Sequence, residues 1–236
     1  MKQMLIYEQV APVARDKHRA LSIKPTNNYD FARQTNSVPL VVGEFALTAM
    51  HYAIVFGQTA DGPIPAAVLG GRDNENVFVT AEGSWSAPYI PAFIRRYPFV
   101  FGSDEKNETF TLMIDESYPG INSDGKGERL FDSEGKETGF LKNIMGFLTE
   151  YQGQVQATQA FAKKLAELGL LDGAEAHLPS PGDPERRLRG FNIVSREKLR
   201  ALPAKTLSQL NTGGELELIY LHLMSLNNLQ RLPSAT

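Results

Sequence analysis

Two adjacent arginines, Arg95 and Arg96, stand inside the run PAFIRRYPFVF, residues 91–101, among proline, aromatic and aliphatic neighbours. Guanidinium groups are seldom buried without a partner. This stretch therefore either ties the fold together or receives an anion. Adjacent side chains on a regular helix point about 100° apart, which predicts one arginine facing outward and the other inward. An inward Arg96 could grip a carboxylate or phosphate with its planar fork. It could equally pair with Glu44, Asp115 or Glu116, or with backbone carbonyls near Pro98, and an internal pair is the expected arrangement. Tyr97, next in the chain, joins both arginines in the candidate ligand-binding set.

Two carboxylates are the candidates for proton transfer. Glu44 lies between PLVVG and FALTAM, and its apolar surroundings suit a general acid or base; a carboxylate at a helix start is the competing reading. Asp115 and Glu116 end the apolar run FTLMI, where side chains emerge from a sheet. Neighbours on a strand face opposite sides, so the two make a poor acid/base dyad. Trp85, the one tryptophan, lies near Tyr89 in GSWSAPYIP. It could stack on a peptide or sugar, or anchor the core between a sheet and the PAFIRR helix. His18, His51, His177 and His222 show no metal-binding spacing, and His222 reads as a satisfied core histidine on an apolar helix. A nucleophile elbow, a phosphate loop and a dinucleotide fingerprint are all missing. The Gly pair in LGGRDNENVF reads as a turn. No metal and no cofactor is expected.

The elements that must position these residues follow from periodicity. MLIYEQV, VPLVV, YAIVFG, IPAAVLG, NVFVT and FTLMIDE read as strands, with Asp61-Gly62-Pro63 as a turn. The gaps are too short for repeated helical crossovers, so the sheet is expected to be mixed and mainly antiparallel. Short helices are predicted near Glu44 and over PAFIRR, the latter bounded by Pro91 and Pro98. From Thr138 to Leu171 apolar residues recur every three or four positions, as in an amphipathic helix. Gly146 and Gly153 threaten to interrupt it, at about 1 kcal/mol each relative to alanine, and Gly169 is a plausible terminator. HLPSPGDPERR is a connector, and Ser195 begins a C-terminal helical hairpin broken at NTGG. The fold class is α+β. A sheet-containing core with the long helix, residues 1–175, and a connector, short strand and helical hairpin, residues 176–236, are expected to pack as one integrated domain.

Composition narrows the function classes. At 236 residues with a formal charge of -3, the chain can bury a full core and lacks the basic character of a nucleic-acid binder. It contains no cysteine, which excludes disulfides, thiolate nucleophiles and cysteine-ligated zinc. The run Met4 to Tyr7 is too short for a signal-peptide core, and no window approaches the ~18 apolar residues of a membrane helix. A cytoplasmic protein is the expectation.

The blocks VPLVVGEF, YAIVFG, NVFVTAEGSW, YIPAFIRRYPFVF, LMIDE, LFDSEGKET, ATQAFAKKLAELGLL, GFNIVSREKLRAL and LIYLHLMSLNNLQRL occur in an order and spacing that resemble the SapC family over nearly the whole chain. The resemblance is to the surface-layer-associated SapC-like proteins. A peptide-transporter permease shares those letters, but this sequence has no apolar span to match it. The resemblance implies an accessory role beside surface-layer genes or TonB-dependent receptors, and no defined reaction. The leading expectation is binding of a partner protein or peptide through Trp85, Tyr89 and Arg96. An enzyme using Glu44 or Asp115 with Arg96 as anion clamp, and a carbohydrate-binding module using Trp85 with Asp115, are the alternatives.

Overall fold

Antiparallel pairing dominates because turn chemistry brings consecutive strands back on themselves. The computed structural model describes residues 5–103, 110–179 and 183–232. Its strands, in chain order, are β1 (Val10–Pro12), β2 (Ser22–Ile23), β3 (Ser37–Pro39), β4 (Ile54–Thr59), β5 (Gly62–Val68) and β6 (Phe99–Ser103). They continue as β7 (Phe110–Asp115), β8 (Ile121–Asn122), β9 (Glu128–Arg129), β10 (Leu171–His177) and β11 (Arg187–Val194). The helices are α1 (Arg15–His18), α2 (Phe45–Ala49), α3 (Ala92–Arg95), α4 (Gly139–Glu167), α5 (Arg196–Arg200), α6 (Ala204–Thr212) and α7 (Glu215–Ser225). Among the described residues no helix is long and apolar enough to cross a membrane.

The architecture is α+β. A five-stranded sheet runs in the order β10-β11-β4-β5-β3, and three-stranded sheets run β1-β7-β6 and β8-β2-β9. The Asp61-Gly62 turn closes the β4–β5 hairpin, in which Thr59 pairs with Gly62 and Ile54 with Ala67. NVFVT departs from the strand expectation. The side chain of Asn76 donates to Ala32 O (3.0 Å) and accepts from Phe78 N (3.0 Å). These local bonds replace a ladder, leaving a single bridge between Val79 and Trp85.

Helix α4 spans 29 residues, about 43 Å. Thr138 caps it by accepting from Leu141 N. An added Cβ at Gly146 or Gly153 would meet nothing within 4 Å; both lie on an open face, and the helix runs through them. Gly169 adopts φ +66° just beyond the helix end, a conformation in which glycine has no steric cost. The N-terminal half of α4 places Leu141 and Leu148 in a core with Phe99, Ile114, Leu130 and Phe131. Its C-terminal half places Phe161 and Leu165 against Phe45, Ile54, Phe56, Phe93 and Leu223. One helix thus joins the two main bodies of buried apolar surface. The predicted C-terminal hairpin has its first arm divided into α5 and α6, because Pro203 cannot continue a helix and instead precedes the first turn of α6.

Strands β4 and β11 pair in register only at Asn192 and Phe56. Where they diverge, α7 supplies the missing bonds. Val194 N donates to Nε2 of His222 (3.0 Å), and Nδ1 of His222 donates to Ile54 O (2.9 Å). Ile54 N donates to Oγ of Ser225 (2.9 Å). His222 is wholly buried and holds one tautomer, the satisfied core histidine expected from its apolar helix.

Candidate functional site

The run Arg95-Arg96-Tyr97 turns out of α3 into a cis Tyr97-Pro98 bond and then into β6. All three side chains line a cleft of about 230 Å³. Its opposite walls come from Pro25, Thr26, Asn28, Tyr29 and Phe31, from Tyr118, and from Phe140 and Ile144 at the start of α4. The lining includes both arginines and no acidic residue.

The two arginines divide as the helical geometry predicts. Arg95 is exposed. Its Nε donates to Ile90 O (2.9 Å), and its guanidinium lies 5.3 Å from the Phe147 ring and 5.8 Å from the Tyr89 ring. A guanidinium carries five N–H donors, so the bond to Ile90 O and the interaction with the Tyr89 hydroxyl leave further donors at the rim. Arg96 is buried at 3 % exposure. Its guanidinium sits 4.1 Å from the Phe93 ring, 5.3 Å from Tyr151 and 5.6 Å from Tyr7, a cation framed by negative ring faces. Burial pushes the Tyr151 phenol up to about 12, with the Arg96 charge opposing it.

Tyr97 stacks on Phe31 at 4.0 Å and meets Tyr7 at 5.4 Å and Tyr118 at 5.5 Å. Burial, and next the charge of Asp115, raise its phenol to about 12, so it stays a neutral donor across physiological pH. Tyr118 Oη donates to Lys24 O (3.1 Å) and accepts from Thr26 N (3.2 Å), which fixes the loop forming the far wall.

The carboxylates expected to meet Arg96 hold other donors. Oε1 of Glu44 accepts from Tyr89 Oη (2.6 Å) and from Ala92 N (2.6 Å), and Oε2 accepts from Val41 N (3.3 Å). Glu44 is a helix-start carboxylate, but for α3 rather than for the helix that follows it in sequence. Asp115 accepts from the amides of Glu8 (2.7 Å), Gln9 (3.0 Å) and Ser117 (3.0 Å) and from Ser117 Oγ (2.6 Å). Burial disfavours its charge, but the Ser117 hydroxyl and these amides outweigh that and hold the carboxyl below its usual range. Glu116 accepts from Lys17 and from Nε2 of His18. Asp115 is thus an ionised strut for the N-terminal segment, with little to offer as an acid.

Trp85 is half-buried. Its Nε1 donates to Tyr52 Oη (2.8 Å), and Tyr52 in turn donates to Tyr89 O. Its ring faces Phe78 at 6.2 Å and meets Tyr29 edge-on at 5.7 Å. Trp85 and Tyr89 therefore belong to a bonded cluster with Glu44, beside the cleft and joined to it through Tyr29 and Arg95. The cleft residues missed from the sequence are Tyr29, Phe31, Phe140 and Ile144. They lie far from the arginines along the chain, and only pairing of distant elements brings them in. Among the described residues no group of three His, Cys, Asp or Glu could hold a metal ion.

A cationic, ring-lined cleft of this size suits one apolar or aromatic group carrying or flanked by a carboxylate. Ligand pockets for whole small molecules run larger, about 300–1,000 Å³. A protein-family model described as SapC matches residues 13–232. No curated protein and no solved structure matches the chain.

Proposed function

Because the chain belongs to the SapC family, we propose that it is a cytoplasmic accessory protein that binds a peptide or protein segment. The setting would be the bacterial surface-layer or outer-membrane-uptake context that the family resemblance implies. The segment inserts an apolar or aromatic side chain into the cleft beside Tyr97 and places an adjacent carboxylate on Arg95. The observation that carries this reading is the lining itself: Arg95, Arg96 and Tyr97 on one wall, rings opposite, and no acidic residue. Arg95 serves as the exposed anion clamp, whereas Arg96 acts as a buried positive charge under the wall. Trp85 and Tyr89 support the rim from the neighbouring cluster.

Selection of a random peptide library on the immobilised protein tests this. Enriched sequences should pair an aromatic or large aliphatic residue with Asp or Glu one or two positions away. Arg95→Glu and Ile144→Trp, which fills the cleft, should each weaken a selected peptide by about tenfold or more, ~1.4 kcal/mol. Equal affinity in both variants would remove the cleft as the binding site.

A further inference from the structure

A second cleft, of about 620 Å³, opens at the far end of the β10–β11 hairpin, where the loop Gly71 to Asp73 faces Asp183 and the first residues of β11. Four arginines line it, Arg72, Arg186, Arg187 and Arg189, together with three carboxylates, Asp73, Asp183 and Glu185, the last 3.8 Å from Arg187. Three have carboxylate partners. Arg72 reaches Asp183 (3.3 Å), Arg187 reaches Glu175 (2.6 Å), and Arg189 also reaches Glu175 (2.9 Å). All three are substantially exposed, so these pairs are weak and readily exchanged.

Arg186 differs from its neighbours. It is 6 % exposed, and its Nε is fixed on Leu178 O at 2.7 Å. The guanidinium lies across Gly71, where an added Cβ would come within 3.1 Å of Cζ and 3.3 Å of Nε and Nη2. Its buried Nη1 has no hydrogen-bond partner, and no carboxylate lies within ion-pair distance of it among the described residues. Buried guanidinium groups are ordinarily paired. Here glycine makes room for the plane, a carbonyl fixes its angle, and the carboxylates that line the cleft stop short of direct pairing with it.

We propose that this cleft binds a phosphate group, free or as a phosphomonoester. The planar fork of Arg186 provides the fixed half of the site. Arg72, Arg187 and Arg189 exchange their surface carboxylates for the anion, and a dianion gains more from several guanidiniums than a monoanion does. This site stands apart from the peptide cleft and does not depend on it.

The test is a titration of the full chain with inorganic phosphate, phosphoserine, acetate and chloride at matched ionic strength. It is followed by calorimetry and by the side-chain Nε–H resonance of Arg186 in nitrogen-15 spectra. Phosphate and phosphoserine should bind saturably and shift that resonance, with phosphoserine favoured if the natural ligand is an ester. Acetate and chloride should not saturate. Arg186→Lys keeps the charge but loses the fork and should weaken phosphate by about tenfold. Gly71→Ala leaves every arginine in place but moves the plane, and it should weaken phosphate too. Arg95→Ala should change nothing. Acetate binding as tight as phosphate, or undiminished phosphate affinity in both Arg186→Lys and Gly71→Ala, would overturn the proposal.

Discussion

The histidine that bridges β4 and β11 makes stability depend on pH in a way that can be isolated. His222 accepts from Val194 N on one ring nitrogen and donates to Ile54 O from the other, so only the neutral ring satisfies both strands. Burial, assisted by the charge of Arg196 and resisted by the Ile54 bond, lowers its pKa from 6.5 to about 4. The unfolded chain therefore takes up the proton first as the pH falls below 6.5. Folded-state stability is lost between pH 6.5 and about 4, and no further loss from this group follows below that. Linkage with these values gives a loss of about 2 kcal/mol from pH 7 to pH 5, and about 3 kcal/mol by pH 4. Replacing the ring by His222→Gln removes the titration and costs about 1–3 kcal/mol at neutral pH. Urea unfolding of both proteins, followed by circular dichroism at pH 7, 6 and 5, measures the gap between them while the other titrations cancel. The gap should close by about 2 kcal/mol on going to pH 5. A gap that is constant or widens would show that the ring is not held neutral, and the bridging account would fail.

Asp115 obeys the opposite sign. Its folded pKa lies below the ordinary carboxylate value, so its contribution is present above that value and fades as acid protonates it. Asp115→Asn should cost about 2–3 kcal/mol at pH 7 by stranding the amides of Glu8 and Gln9, with the deficit shrinking in urea melts below about pH 4. Arg96→Lys should also destabilise, by about 1–2 kcal/mol, because a compact ammonium cannot lie flat among Phe93, Tyr151 and Tyr7; an unchanged thermal midpoint would argue against the aromatic frame.

Local signals in the sequence carried much of the fold, and their failures have local causes. Asp61-Gly62 sits where the β4–β5 hairpin turns, and the three-and-four spacing after Thr138 follows α4 but overruns it, because the helix stops at Glu167 before Gly169 and Leu171 already belongs to β10. Glycine was a misleading cue inside α4 because Gly146 and Gly153 face open space, where the helix needs no side chain. NVFVT has strand composition, but Asn76 satisfies nearby backbone groups and the pairing that remains is a single bridge, Val79 with Trp85. At the site, the contiguity of Arg95, Arg96 and Tyr97 was legible, as was the outward and inward split of the arginines. Their partners were not. Glu44 and Asp115 look available in a linear reading, yet each is taken up by amide groups brought from 48 and about 107 positions away. The opposite wall of the cleft is assembled from Tyr29, Phe31, Phe140 and Ile144, a proximity that no local pattern encodes.

The bonded pair Trp85 and Tyr52 has an optical consequence. The chain holds a single tryptophan beside eight tyrosines, so its ultraviolet emission above the tyrosine band comes from one indole in one place. That indole is half-shielded, hydrogen-bonded through Nε1, and in edge contact with Tyr29, which lines the arginine cleft. Displacement of Tyr29 by a bound segment alters the surroundings of the emitter directly, while anything bound in the Gly71 cleft does so only through the fold. Trp85 emission is thus a built-in test of the proposed cleft: a segment bound there should change its colour and intensity without any attached dye.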